Sequence, residues 1–564
     1  MVSVCITSTP AASPYRAVIA HSVDDPFYYL HNFQQVLDWI ELRYADLLDD
    51  QEQAFISQFR QQPQAARALL VRMVMRKGLL FRPSKLEYAE IGSTQAALAP
   101  LLDLGWVVDN SPLSLEQLFH LLRKDELASG FADRLARPRA AKGDLLSQLQ
   151  VLELQPRPLQ QWLPGFAEPI IELRLQALCD RLRLLFFGNL YQDWSEFVLA
   201  DLGLLRYEQV AFSDDSRALR QRSDIDVALA LHQCAELLER GVALEQVVGH
   251  IEGLDSDNPW LLRRRSRLLY QLGQHSERLG DWPLALRIYP RSQHPQARIR
   301  HVRVLERSEQ WSQAFEMASQ IARQPANSLE IQALARMLPR LQRKLGGPPQ
   351  PRRAKPQVNL VELQLPAELA TLGVEQAVQL HLGQGGGQVH YVENSLFNSL
   401  FGLLCWEAIF APLPGAFFHP FQSAPQDLHD AEFHGRRSEL FARCLGQLDD
   451  GSYRQTIRRH FVNKQGLQSP FVYWQALSEE LLEQALACLP PAHLKSCFER
   501  LLEDIQANRS GMPDLIQFWP EQQRYHMIEV KGPGDRLQDS QLRWIEFCAG
   551  HGLPVEVCHV QWAP

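Results

Sequence analysis

From Asp25 to about Gln150 apolar residues recur at helical spacing and are interrupted by turn residues, as in FYYLHNFQQVLDWIELRYADLL and QAARALLVRMVMRKGLLF. The pattern predicts a run of short amphipathic helices. Between Arg60 and Trp106 it reads helix, break, helix, with Arg72, Arg76 and Lys77 near the break, the outline of a small winged or helical DNA-binding module. The next stretch, LSLEQLFHLLRKDELASGFADRLARPRAAKGDLLSQL, predicts two short helices joined by a segment carrying Arg134, Arg137, Arg139 and Lys142. Such a segment is either a phosphate-contacting surface or a solvated basic turn. Asp224 to Leu345 is helical throughout, with an internal echo in GDWPLALRIY (Trp282, Ala285, Tyr289) and EQWSQAFEMA (Trp311, Ala314, Phe315). Small and aromatic residues at matching positions are what stacked helical hairpins need to pack. Arg263, Arg264, Arg265 and Arg267 point in different directions around one helix, which reads as a solvated face. LGGPPQPRRAKP, from Leu345 to Pro356, supports neither helix nor sheet and marks a boundary. Beyond it strand-like segments appear in DLIQFW, YHMIEVK and PVEVCHV.

Composition narrows the class. A chain of 564 residues, 46% hydrophobic and 22% charged, is a large folded protein of several domains. It has no uninterrupted apolar run long enough to span a membrane and no secretory pattern, so the expectation is a non-exported protein with no membrane partner. The nine cysteines never form C-x-x-C, which points to reduced thiols and against a zinc finger. A net charge of −8 leaves nucleic-acid binding to local basic patches. His419, His434 and His460 are too irregularly spaced for a transition-metal site, and the glycines of GQGGG, Gly383 to Gly387, lack the lysine of a phosphate loop.

The chemistry concentrates in GMPDLIQFWPEQQRYHMIEVKGPGDRLQDSQLRWIEFC, from Gly511 to Cys548. Side chains alternate along a strand, so Glu529 and Lys531 share one face and Val530 takes the other. If the two strands pair, Asp514 approaches Glu529. Two carboxylates that close repel each other unless a divalent cation lies between them, and hard oxygen ligands suit Mg²⁺ or Mn²⁺. Lys531 is placed to orient the attacking water or to neutralise developing negative charge.

P-D…E-x-K, followed by a helix and the strand VEVCHV, has the order of the PD-(D/E)XK nuclease core and resembles its VRR-NUC branch. That branch carries a Q-x-x-W pair on the helix, matched by Gln541 and Trp544. The resemblance implies that Gln541 faces the metal site while Trp544 and Phe547 pack the helix onto the sheet. HYVENSLFNSLFGLLCWEAIF, FVYWQAL and KLEYAEI are similar to segments of the Fanconi-associated nuclease family, and the block around Arg134 resembles a SAP module. The resemblance implies a multidomain chain whose N-terminal and middle regions are mainly α-helical, with a SAP-like module, TPR-like repeats and a C-terminal α/β PD-(D/E)XK nuclease domain. The expected divisions are a helical region at 1–65, a DNA-binding region with the SAP-like module at 66–160, helical repeats at 161–345, a linker at 346–356 and the nuclease domain at 357–564, its core at about 505–564.

By resemblance the function is a structure-selective, divalent-metal-dependent DNA nuclease. It would cut 5′ flaps and branched junctions, act as a 5′→3′ exonuclease and serve DNA repair, including interstrand crosslink repair. The first cysteines, Cys5 and Cys179, do not form the family's ubiquitin-binding zinc finger, and the compact form looks like a bacterial member, cytoplasmic and nucleoid-associated. A non-catalytic helical-repeat scaffold and an RNA-directed nuclease are the alternatives. Arg436, Arg437, Arg454, Arg458 and Arg459 are further phosphate-contact candidates.

The metal site needs a third carboxylate, and two are in reach by sequence, Glu393 and Glu407. On one continuous helix they share a face but stand about 21 Å apart, so only one can serve a given ion. Glu393 precedes the apolar run, and the resemblance places the catalytic glutamate there, so the expected metal ligands are Glu393, Asp514 and Glu529.

Overall fold

The computed structural model describes residues 25–151, 155–192, 194, 205–348 and 359–563. It divides into two compact units, one holding the residues up to Leu205 with Leu219–Ile225, the other Arg206–Ala218 and the chain from Asp226 on.

In the first unit, helix Tyr28–Tyr44 buries Tyr29, Leu30, Phe33, Val36, Leu37 and Ile40, the face its spacing predicts. Helix Asp50–Gln61 starts at a capping box in which Asp49 and Glu52 satisfy each other's backbone N–H groups. Three short strands, β1 (Leu80–Phe81), β2 (Val107–Val108) and β3 (Ile171–Leu173), form an antiparallel sheet in the order β1-β3-β2. The SAP-like block contains three helices over its first part, not two: Leu115–Leu121, Lys124–Gly130 and Lys142–Gln150. The extra break at Leu122–Arg123 arises because Glu126 folds back onto the Arg123 N–H at 2.7 Å and starts a new helix there. Leu118, Phe119, Leu127, Phe131, Leu145, Leu149 and Trp162 close a core of their own.

The second unit begins with helical hairpins. Helices Pro259–Leu279 and Trp282–Ile288 pack together, as do Ala297–Arg307 and Trp311–Arg323. Ala285 and Ala314, the small residues of the sequence echo, are buried at the contacts. A Cβ on Gly273 would come within 2.7 Å of the Tyr289 ring, so the aromatic fills space that only glycine leaves. Arg263 is drawn off to Asp430 at 2.8 Å, and Arg264 lies over the Trp260 ring. The predicted linker falls largely outside the described residues, including Arg352, Arg353 and Lys355.

The nuclease sheet has five strands in the order β4-β8-β7-β6-β5: β4 (Leu360–Pro366), β5 (Gln388–Tyr391), β6 (Leu515–Trp519), β7 (Arg524–Lys531) and β8 (Val555–Ala563). β5, β6 and β7 pair antiparallel, whereas β8 is parallel to both β7 and β4. The β7–β8 crossover is helix Asp539–Gly550, as a parallel pair requires. Ile528 and Val530 join Leu515, Cys558 and Val560 in a core with Ala377 and Val378 of helix Val374–Gln384. A helical insertion, residues 392–514, separates β5 from β6. Two expectations change here. His390 and Tyr391 belong to β5, and the helix considered for Glu393 and Glu407 starts only at Leu396, after a turn in which Asn394 is left-handed at φ 50°. That helix also ends at Leu404, and Glu407 sits on a separate short turn, Trp406–Ile409. Glu393 and Glu407 therefore do not share a helix.

Candidate active site

Strands β6 and β7 pair Leu515 with Ile528 and Trp519 with Arg524. One step further along that register, Asp514 lies across from Glu529. Asp514 Oδ2 accepts from the Val530 N–H at 2.8 Å, which fixes the carboxylate beside the second strand. Lys531 Nζ stands 2.6 Å from Glu529 Oε1. All three are enclosed, at 6% exposure for Asp514, 0% for Glu529 and 8% for Lys531. Lys531 meets Oε1 alone, and Oε2 of Glu529 has no hydrogen-bonding partner. Burial pushes Asp514 up to about 6, against the pull of the Val530 N–H and Lys531. Burial, then the nearby Asp514 charge, pushes Glu529 up to about 7 although Lys531 opposes it. Two acids so raised side by side are short of positive charge.

Glu393 is exposed in the turn after β5, close enough for its charge to raise both acids. Its own carboxylate is held locally, by the Tyr391 hydroxyl at 2.5 Å on Oε2 and Asn394 Nδ2 at 3.1 Å on Oε1. Among the described residues no three His, Cys, Asp or Glu side chains converge closely enough to cage an ion as they stand. A fourth acid belongs to the neighbourhood and was not anticipated: Glu375, in the first turn of helix Val374–Gln384, adds its charge to Asp514 and Tyr391. The sequence signal for it was the apolar spacing of Val374, Ala377 and Val378 after Gly373, a helix start pointing at the sheet. Glu407 instead lies beside His460 and Arg459, at 3.8 and 4.0 Å.

The Gln541 side-chain oxygen accepts from the Gln538 N–H at 2.8 Å, closing a capping box at the start of helix Asp539–Gly550, so that oxygen is engaged by the helix start. Trp544 is buried, with its indole N–H on the Asn508 carbonyl at 3.0 Å.

Family models match the chain in three places: the VRR-NUC domain over residues 448–562, the FAN1 HTH domain over 27–108 and the Fanconi anemia-associated nuclease SAP domain over 112–162. A Fanconi-associated nuclease 1 homolog of Pseudomonas aeruginosa is 58% identical over 541 residues, covering 96% of this chain and 97% of the relative. The chain belongs to the Fanconi-associated nuclease family. The human Fanconi-associated nuclease 1 is 25% identical over 94% of the chain and 62% of its own length. A crystal structure of paFAN1 bound to 2nt 5′-flap DNA with a gap superposes with a TM-score of 0.90, at 58% identity over 96% of this chain and 100% of that one. As a family member the protein is a DNA phosphodiesterase, and the scaffold alternative falls.

The basic residues expected at DNA separate into two groups. Arg134, Arg137 and Arg139 are exposed in the SAP block, Arg134 only loosely paired with Asp133 at 3.7 Å. Lys142 is a correction, because its ammonium donates to the Leu122 carbonyl at 2.6 Å and closes the end of helix Leu115–Leu121. Arg437 is a second correction, since its side chain is 0% exposed and forks onto Asp427 at 2.8 and 2.9 Å. Arg436 is likewise consumed by Asp427 and the Pro414 carbonyl. Arg454 donates to the Leu486 carbonyl at 3.2 Å, Arg458 is bidentate on Glu483 at 2.6 Å, and Arg459 is exposed. Among the described residues no helix is long and apolar enough to cross a membrane.

Proposed function

We propose that the chain is a structure-selective, divalent-metal-dependent nuclease that cuts 5′ flaps and branched DNA, with 5′→3′ exonuclease character, in DNA repair that includes interstrand crosslinks. The observation that carries the reading is Glu529, an enclosed carboxylate with one lysine on Oε1 and no partner on Oε2, facing a second enclosed acid. A buried acid left in that state is stabilised by a cation. The oxygen-only donor set fits Mg²⁺ or Mn²⁺, and Asp514, Glu529 and Glu393 are the residues that would hold it. When bound, such an ion lowers the pKa of water and offsets charge on the scissile phosphate.

The chain's own groups do the rest. Val530 N–H orients Asp514, and Lys531 stands against Glu529, where its ammonium can offset phosphate charge as it grows. Arg134, Arg137 and Arg139 supply phosphate contacts that position DNA without reading sequence. The choice of flap rests on the likeness to paFAN1, whose crystal structures hold 5′-flap DNA with a gap.

The test is incubation of purified protein with labelled 5′-flap, 3′-flap, duplex and single-stranded DNA, and with RNA, in Mg²⁺, Mn²⁺ or EDTA. Preferred cutting of the 5′ flap with either metal and none in EDTA is expected. Cutting that persists in EDTA removes the metal, and equal cutting of RNA removes the DNA preference.

A further inference from the structure

The turn that carries Glu393 is tied to the segment that carries Asp514 at three points. The Val392 N–H donates to the Asp514 carbonyl at 2.8 Å, and Asn398 Nδ2 reaches the Arg509 carbonyl at 2.8 Å. Between them stands Asn394. Its Oδ1 accepts from the Met512 N–H at 3.1 Å, while its Nδ2 donates to Glu393 Oε1 at 3.1 Å. One amide thus touches both the carboxylate of Glu393 and the backbone two residues before Asp514. Its backbone is left-handed, at φ 50°, a conformation that asparagine tolerates better than other side-chain-bearing residues. Tyr391 grips the other oxygen of Glu393 from the end of β5, at 2.5 Å.

We propose that Asn394 is a positioning residue of the nuclease: its side-chain amide sets the Glu393 carboxylate against Asp514, with Tyr391 holding the second oxygen. An exposed glutamate in a turn has several free rotamers, and ordering them is a cost that falls on whatever binds it. Asn394 and Tyr391 remove part of that cost beforehand, as outer-shell partners of ligating carboxylates do. The inference rests on the reading of Glu393 as a metal ligand.

Calorimetric titration of the metal-free full chain with Mn²⁺ tests it, alongside cleavage measured across Mn²⁺ concentration and thermal melting. Asn394→Gly keeps the left-handed backbone accessible and removes only the amide. It should weaken Mn²⁺ binding by about tenfold or more and raise the Mn²⁺ needed for cutting, with a nearly normal rate at saturation. A purely structural role would instead lower the melting temperature and the saturated rate together. Tyr391→Phe leaves the turn's backbone ties in place and should weaken Mn²⁺ less; it decides the matter if Asn394→Gly melts early. Glu393→Gln separates the two levels. Loss of Mn²⁺ affinity in Glu393→Gln with none in Asn394→Gly or Tyr391→Phe overturns the positioning role, whereas unchanged affinity in Glu393→Gln overturns the reading beneath it.

Discussion

Among the described residues two glutamates are 0% exposed, Glu52 in the first unit and Glu529 in the nuclease sheet. Glu52 is saturated: Arg181 takes one oxygen at 2.5 Å, and the other receives Arg222 at 2.5 Å and the Asp49 N–H at 3.0 Å. Glu529 has one lysine on Oε1 and no partner on Oε2. Both are acids taken out of water, yet one is finished and the other is not. A buried charge whose partners are all supplied by the chain is architecture, whereas one with fewer partners is a place where a ligand has most to contribute. The same contrast runs through the cations. Lys142 and Arg437 are consumed by a carbonyl and by Asp427, while Arg134, Arg137 and Arg139 remain at the surface.

Substitution should break the contrast most sharply at the unfinished site. Asp514→Ala, Glu529→Ala and Lys531→Ala should each cut flap DNA at least about 100-fold more slowly while melting cooperatively and binding DNA nearly as well. Near-normal cutting by any one of them takes that residue out of the mechanism. Glu52→Gln should do the opposite, costing about 1–3 kcal/mol of stability by taking the charged partner from Arg181 while Arg222 keeps Asp49, with the folded fraction cutting normally. Denaturant unfolding beside the cleavage assay separates the two effects.

Among the cations, replacing Arg134, Arg137 and Arg139 together by Glu should reduce DNA affinity and make its dependence on log salt shallower by up to about 3. Lys142→Met should lower the melting temperature instead and leave the salt slope unchanged. Filter-binding titrations at several salt concentrations distinguish them.

The smallest effect concerns pH. Asp514 and Glu529 are raised to about 6 and about 7, above their values in an unfolded chain, so the folded state binds those protons more tightly. Their ionisation therefore opposes folding above about pH 7, and the opposition fades as pH falls toward the unfolded values near about 4.3. Metal-free Glu529→Gln should melt a few degrees above the parent at pH 8, with the gap narrowing toward about pH 4.5. A gap that is absent or widens on acidification contradicts the raised acids.

The part of this site legible in sequence was the part governed by local geometry. Alternation puts Glu529 and Lys531 on one face, and the strand pair brings Asp514 opposite, so P-D…E-x-K was readable without partners. Glu393 was found by position and family likeness, but its setting was misread: HYVENSLF has the apolar content of a helix, and only pairing of His390 with Ile516 and Tyr391 with Leu515 makes it strand and turn. Lys142 and Arg437 looked available because a sequence shows a donor without showing what it meets. Glu375 was missed for the converse reason, since its helix start is ordinary and only the sheet makes its position matter.

The insertion between β5 and β6 also bears on how the protein is made. β4 begins at Leu360 and its strand partner, β8, at Val555, while β5 waits for β6 beyond residue 514. Neither early strand can be paired until the helical insertion has left the ribosome, and contacts that distant in sequence close slowly. Glu393 is thus synthesised long before Asp514 and Glu529 join it. An incomplete chain that stops short of β6 carries the glutamate without the pair of acids, so the three carboxylates meet only after the intervening helices have been made.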